Sequence, residues 1–393
     1  MMTPSVSERT KVTLLLMAPL LPRANGSAYE LLRPREYGDL LSTLSQAGHS
    51  LEDLLGVEAR EILQDIRIRI SSERLSALLA RGVQLADAID RWRARGIWVI
   101  GLGDPEYPIE LVERLGAAAP PVLYGCGDAE LLRVAGLAIV GSRDPSAEAV
   151  DFARTIAEEA ARSQVPVVSG GARGIDASAM RSALQAGGKV VGILAQRLDR
   201  AAVAGENRES FVTGQLLLLS PYDPSAGFNV GNAMARNKLI YAFAKTALVA
   251  CADHSHGGTW AGAIEQLDQS DPMPLYVRDA MEDEALAELV KRGAMTWPIA
   301  ADIAQLACQI DPGWRSDADR HGPAEPTVSL FEHASQMLLC LDSEYSRTEL
   351  QGHLEITPAQ LKAWLPKFLD LGVLEQTSKR PLRYRTKPPA LPL

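Results

Sequence analysis

Four short stretches set cations beside bare backbone or hydroxyl groups: Gly141-Ser142-Arg143, Ser169-Gly170-Gly171-Ala172-Arg173-Gly174-Ile175-Asp176, Arg236-Asn237-Lys238 and Gly257-Gly258-Thr259-Trp260. The chemistry this suits is anion binding. Glycines let a backbone approach a ligand closely and leave N–H groups uncovered. A helix start adds free N–H donors and the positive end of the helix dipole. Arginine adds a planar fork that matches phosphate oxygens. In the first stretch Ser142 and Arg143 are the candidates. In the second they are Ser169, Gly170, Gly171 and Arg173, with Asp176 as a helix cap. The third offers Arg236, Asn237 and Lys238, the two cations facing a ligand, and the fourth Gly257, Gly258 and Thr259. Each has an ordinary structural explanation as well: a tight strand–helix turn, a purely structural glycine loop, or a solvated helix face.

The elements that must position these residues follow from the apolar pattern. Short apolar runs at Val122–Tyr124, Gly136–Val140, Val165–Ser169, Lys189–Leu194, Leu216–Ser220, Ala247–Cys251 and Leu275–Val277 alternate with helical stretches. Such runs predict a mostly parallel sheet covered on both faces, a doubly wound α/β domain over residues 116–310. A parallel sheet places the ends of its strands on one edge, and open α/β sheets bind ligands there. The four stretches should therefore converge and present Arg143, Arg173, Arg236 and Lys238 around a row of exposed amides.

The flanks have other periods. Residues 1–115 read as a helical domain, with leucines at helical spacing in Ala28–Ala47, Leu51–Leu63 and Ser71–Ala80, followed by a strand-like Trp98–Ile100. The apolar run Val12–Leu21 reads as a buried helix, since no small-residue cleavage pattern of a signal peptide follows it. Residues 311–327, rich in Asp, Gly, Pro and Arg, read as a linker. Residues 328–393 suggest a winged-helix-like domain. Leu330–Leu341 is amphipathic, Ser346 and Glu349 form a reciprocal cap, Pro366 should interrupt the third helix, and Lys379, Arg380, Arg383, Arg385 and Lys387 gather in the wing.

Composition narrows the class. Hydrophobic residues at 47% and charged residues at 23% describe a soluble globular protein. A net charge of −9 tells against a general polyanion binder, so any phosphate site must be a local basic patch. The four cysteines form no CxxC pair, which fits a reducing cytoplasm and no structural zinc. His254-x-His256 lacks further ligands and reads as plain loop. No Walker A sequence, Gly-x-Ser-x-Gly elbow or HExxH occurs, and Glu106 stands where a dinucleotide fingerprint starting at Gly101 needs its third glycine. No cofactor, metal or catalytic residue is expected, and no run is long enough to cross a bilayer.

Taken in order, Asp104 with Tyr107-Pro108, Pro121-Val122-Leu123-Tyr124, Gly141-Ser142-Arg143, the Ser-Gly-Gly-Ala-x-Gly-Ile-Asp loop and Arg236-Asn237-Lys238-Leu239-Ile240 resemble the DNA processing protein A (Smf) family from about Trp98 to Arg278. The resemblance implies an extended Rossmann-like fold, often with a helical domain before it and a winged helix after it. It also implies a non-enzymatic protein that binds single-stranded DNA, often as a homodimer, and assists loading of a RecA-type recombinase. The chain departs from the family pattern at Met180, at Ser220-Pro221, in the longer segment Asn229–Ala235 and in the fuller Gly257–Trp260 loop. The alternative is a nucleotide-sensing or nucleotide-hydrolysing protein akin to the lysine-decarboxylase-like hydrolases. Their Gly-Gly-x-Gly-Thr-x-x-Glu loop places its glutamate closer than Glu265 stands to Gly257-Gly258-Thr259.

Overall fold

The computed structural model describes residues 4–20, 30–134, 136–254, 257–269, 272–280, 282–297, 338, 344–354, 358–370, 374–379 and 382–386. The chain divides into two compact units, Met1–Ser316 and Asp317–Leu393.

Five helices lead the first unit: α1 (Glu8–Met17), α2 (Pro34–Gln46), α3 (Ala59–Asp65), α4 (Ser72–Leu79) and α5 (Gly82–Arg93). The buried helix expected over Val12–Leu21 is α1, which starts earlier, capped by Ser7, and ends at Met17, where Ala18 turns extended. Its second half is buried on every side, from Val12 to Leu16, so it lies between two layers. Val12 and Leu16 pack with Leu40, Leu44, Leu75 and Leu78. Leu14 and Leu15 belong instead with Trp92 to the core beneath the sheet.

There follow β1 (Ile97–Gly101), α6 (Ile109–Leu115), β2 (Val122–Gly127), β3 (Gly136–Gly141), α7 (Ala147–Arg162), β4 (Val167–Ser169), α8 (Ile175–Gln185) and β5 (Val190–Ile193). The chain continues through α9 (Leu198–Ala201), α10 (Arg208–Val212), β6 (Leu216–Ser220), α11 (Val230–Ala242), β7 (Ala244–Cys251), α12 (Gly257–Leu267), β8 (Leu275–Val277), α13 (Glu284–Lys291) and β9 (Met295–Thr296). All nine strands form one sheet in the order β1-β2-β6-β5-β4-β3-β7-β8-β9. Pairing is parallel from β6 through β9, and only β2 runs against its neighbours. The strand at 97–101 was expected with the helices; it completes the sheet instead by pairing with β2.

The central parallel strands are buried on both faces and are therefore almost wholly apolar, whereas the edge strand β9 is exposed. Leu137, Ile139 and Leu248 meet Ile156 and Ala157 of α7 and Ala179 of α8. Ala138, Val140 and Val249 meet Leu239 and Ile240 of α11 and Ala263 of α12. From β3 the chain steps to β4, β5 and β6 on one side, then returns to β7 on the other. The loops after β3 and β7 therefore part in opposite directions, which opens a crevice where doubly wound sheets bind ligands.

The second unit contains β10 (Glu344–Tyr345), α14 (Arg347–Leu354), α15 (Pro358–Asp370), β11 (Leu374–Lys379) and β12 (Leu382–Thr386). Its antiparallel sheet has the order β10-β12-β11. Leu350, Leu361, Leu365, Phe368, Leu374 and Tyr384 form the core with Leu338. The reciprocal cap predicted at Ser346 and Glu349 is present, at 2.7 and 3.3 Å. The interruption expected at Pro366 is not: α15 runs through it. Residue 366 is exposed, and so is Lys362, whose carbonyl loses its helical donor, so water can serve that carbonyl. The linker and most of the Leu330–Leu341 stretch lie outside the described residues, as do Arg380 and Lys387.

Candidate nucleic-acid interface

The turn after β3 begins the site. Gly141 is buried, and a Cβ there would stand 2.4 Å from Cγ1 of Ile175, so only glycine lets α8 approach. The Ser142 hydroxyl accepts from the Asp144 N–H at 3.2 Å and faces the Asp253 carboxylate at 3.3 and 3.4 Å. Ser146 then caps α7. Arg143 is exposed, with its guanidinium carbon 5.2 Å from the centroid of the Phe228 ring.

The loop after β4 is interlocked with that turn. The Ile175 N–H donates to the Ser142 carbonyl at 3.3 Å, and a Cβ on Gly174 (φ +93°) would meet that same oxygen at 2.4 Å. Gly171 (φ +63°) and Arg173 are exposed at the loop's crest. The loop after β7 reaches the turn from the other side: the Thr259 hydroxyl donates to the Gly141 carbonyl at 2.9 Å, and Asn237 Nδ2 to the Gly258 carbonyl at 3.0 Å. Three of the four predicted stretches, joined by Asn237 of the remaining one, thus meet at one sheet edge.

Two adjoining clefts result. One, of about 630 Å³, lies at the switch point between Ser142 and Asp253 on one side and Phe228, Met234 and Trp260 on the other. The second, of about 670 Å³, runs from Arg143 past Gly170–Arg173 to the segment after β5. Arg143 and Phe228 line both.

Several predicted ligands are placed elsewhere. Arg236, expected to face a ligand, is turned inward and is only 4% exposed. Its Nη1 lies 3.9 Å from Oδ2 of Asp176, which is also buried. The cause is helix phase: Ala233, Arg236 and Ile240 are all buried on the stripe of α11 that faces the sheet. Asp176 accordingly lies in the first turn of α8 and does not cap it; Gly174 holds the cap position. Burial pushes the Asp176 carboxyl up, while Arg236 and backbone hydrogen bonds from Ala172, Gly141 and Gly170 pull it down. Burial also lowers Arg236, opposed by Asp176. Arginine keeps its proton in proteins, so the Arg236 guanidinium is a buried charge with the Asp176 carboxyl beside it.

Lys238 is exposed but leaves the edge. Its ammonium is 2.5 Å from Glu265, and both line a separate groove with Tyr241 and Lys245. Glu265 is therefore not beside the Gly257–Thr259 loop, where a hydrolase glutamate would need to be. The Ser169 hydroxyl is fully buried and donates to the Ile139 carbonyl at 2.6 Å, joining β4 to β3. Gly170 is buried too: a Cβ there would overlap Nη1 of Arg236. His254 packs edge-on against Trp260, and His256 lies outside the described residues. No group of three or more possible metal ligands occurs among the described residues.

Reading from the sequence passed over Asp253, Phe228, Arg197 and Arg200, which line these clefts. The signal for the two arginines was available. They directly follow β5, whose end opens onto the same edge as those of β3 and β4, but that loop has no glycine.

A profile of the family described as DNA recombination-mediator protein A matches residues 98–307. Protein Smf of Synechocystis sp. is 34% identical over 152 residues, 37% of this chain and 37% of that relative, so the match spans little more than a third of Smf. The DNA processing protein DprA of Streptococcus pneumoniae is 29% identical over 203 residues, 51% of this chain and 71% of its own length. The solved structure of Streptococcus pneumoniae DprA superimposes with a TM-score of 0.57 at 20% identity, covering 77% of this chain and 98% of that one. The fold is shared.

Proposed function

From its match over residues 98–307 the chain belongs to the DNA recombination-mediator protein A family, and on that basis we propose that it binds single-stranded DNA along the C-terminal edge of its sheet, holding the backbone without chemistry. The observation that carries this reading is the pair Arg143 and Arg173. Both are exposed over interlocked glycine loops, and no carboxylate among the described residues pairs with either. Phosphates would take Arg143, Arg173 and the amides around Gly171 and Gly257–Gly258. Such contacts follow the backbone and read little sequence. Phe228, 52% exposed beside Arg143, supplies a ring on which a base can stack.

Single-stranded DNA is favoured over duplex because the phosphate and stacking groups adjoin within one cleft, and stacking needs a splayed base. The family supports a non-enzymatic role in recombination, with a RecA-type recombinase as the partner and a homodimer as the working form. The C-terminal unit, read as winged-helix-like, would be an accessory docking module. No helix among the described residues is long and apolar enough to cross a membrane. The unpaired buried cysteines Cys126 and Cys251 accord with a cytoplasmic setting.

The test is titration of a labelled oligo-dT by the full chain across a salt series. Arg143→Ala with Arg173→Ala should weaken binding about a hundredfold and lower the slope of log K against log salt by about 0.7 for each phosphate no longer neutralised. Mononucleotides and duplex should compete poorly. Unchanged affinity and slope in the double variant would remove the assigned surface.

A further inference from the structure

The second cleft extends beyond the predicted stretches, to a turn that has the marks of a built site. Arg197 has left-handed backbone, φ 52°, which glycine adopts without steric cost and arginine rarely does. The turn is held there by the segment between β6 and α11. The Arg197 N–H donates to the Ala226 carbonyl and the Asp199 N–H to the Pro224 carbonyl, both at 2.9 Å. Nη1 of Arg197 donates to the Ser225 carbonyl at 3.3 Å. That segment is itself fixed by Asp223, which accepts from the Ser225 N–H at 2.8 Å and from its hydroxyl at 2.6 Å. Two loops are thus zipped together, and one result is a guanidinium fixed at the cleft wall. Arg200, one turn on and exposed, lines the same wall.

The cleft therefore carries Arg143, Arg173, Arg197 and Arg200 against a single lining carboxylate, Glu206. This is a concentrated positive field on a chain of net charge −9. The β3 and β5 ends are two strand spacings apart, about 10 Å. One phosphodiester carries a single negative charge, so four guanidiniums along this cleft suit more than one phosphate of a strand. Resting on the reading above, we infer that Arg197 and Arg200 form a second phosphate subsite for the same single strand. The strand then runs across the sheet edge from Arg143–Arg173 to Arg197–Arg200, and the left-handed backbone at Arg197 is retained to aim its guanidinium.

The left-handed backbone also supplies a clean variant. Arg197→Gly suits the backbone, so it removes the cation without straining the turn, and Arg200→Gln acts on an exposed side chain. Full-length wild type, Arg197→Gly/Arg200→Gln and Arg143→Ala/Arg173→Ala would be titrated against oligo-dT of increasing length over a salt series, with thermal unfolding recorded for each. For the Arg197/Arg200 variant we expect little change in unfolding, because relief of the left-handed backbone offsets the lost Arg197–Ser225 hydrogen bond. For this variant we also expect about tenfold weaker binding to long strands and a salt slope lower by about 0.7 per phosphate released. On oligonucleotides too short to span both pairs it should match wild type. Arg200→Glu alone, which leaves the turn untouched, should weaken long-strand binding further than Arg200→Gln. The inference is overturned if the Arg197/Arg200 variant binds long strands with wild-type affinity and slope while Arg143→Ala/Arg173→Ala is weakened. If neither variant is weakened, the proposed DNA-binding edge fails, and the second subsite with it.

Discussion

Arg143 and Arg236 look alike in the sequence, each a guanidinium beside a small polar side chain, Ser142 or Asn237. In the fold they stand on opposite sides of the Gly170–Arg173 loop. Arg143 is in solvent over Phe228; Arg236 lies beneath the loop against Asp176. One can trade its hydration for a phosphate. The other has already exchanged water for a carboxylate, and its Nε and Nη1 have no hydrogen-bond acceptor. Residue type proposes a ligand, and burial decides whether the group is available to be one.

That contrast predicts opposite mutational signatures. Asp176→Ala should have the largest effect on stability, because it leaves a guanidinium buried without its counter-ion. About 3–5 kcal/mol should be lost, read by urea denaturation. Adding Arg236→Met removes the stranded charge, so the double variant should be more stable than Asp176→Ala alone. If the two losses simply add, the pair is not coupled and the contrast is broken.

Gly170→Ala comes next. Its methyl group would occupy the space of the Arg236 guanidinium, so the loop or the arginine must shift. A cost of about 1–3 kcal/mol is expected. DNA affinity should fall as well, since the displaced loop carries Arg173. At the other extreme, Arg143→Ala with Arg173→Ala should leave stability within about 0.5 kcal/mol of wild type, because nothing in the fold depends on these exposed groups. A large drop in melting temperature in that variant would show that they serve structure as well.

The sheet was legible because its strands are buried on both faces. Runs such as Val190–Ile193 and Leu216–Leu219 have no polar position, and nothing but a covered parallel strand explains several of them at regular intervals. The meeting of the glycine loops followed from that sheet alone. What was missed depends on rotation and packing. The inward turn of Arg236 could have been read from its place three residues after Ala233 and four before Ile240, on the apolar stripe of α11. The charge pattern Arg-x-Lys drew attention to the opposite face. The place of Arg197 after β5 was legible, but its left-handed backbone was not: that conformation is imposed by Ala226 and Pro224, almost thirty residues further along the chain.

A pH-dependent test of the contrast uses a second ion pair, on the surface of the helical layer. Arg74 grips Glu36 with two nitrogens, at 2.7 and 3.1 Å, and the Arg33 N–H adds a third bond at 2.8 Å. The Arg74 hydrogen bonds, then that from Arg33, hold the Glu36 carboxyl at about 2, against an ordinary 4.5. A carboxyl lowered in the folded state stabilises above its unfolded value, and that contribution fades as pH falls from 4.5 towards 2. Glu36→Gln should therefore flatten the acid limb of the stability profile in that window. It should leave stability near neutrality lower by less than about 1 kcal/mol, because water still reaches both side chains of this partly buried pair and screens it. Set beside Asp176→Ala, the two losses should differ several-fold for the same Arg–carboxylate chemistry. Losses of equal size would mean that burial is not what separates the arginines of this protein.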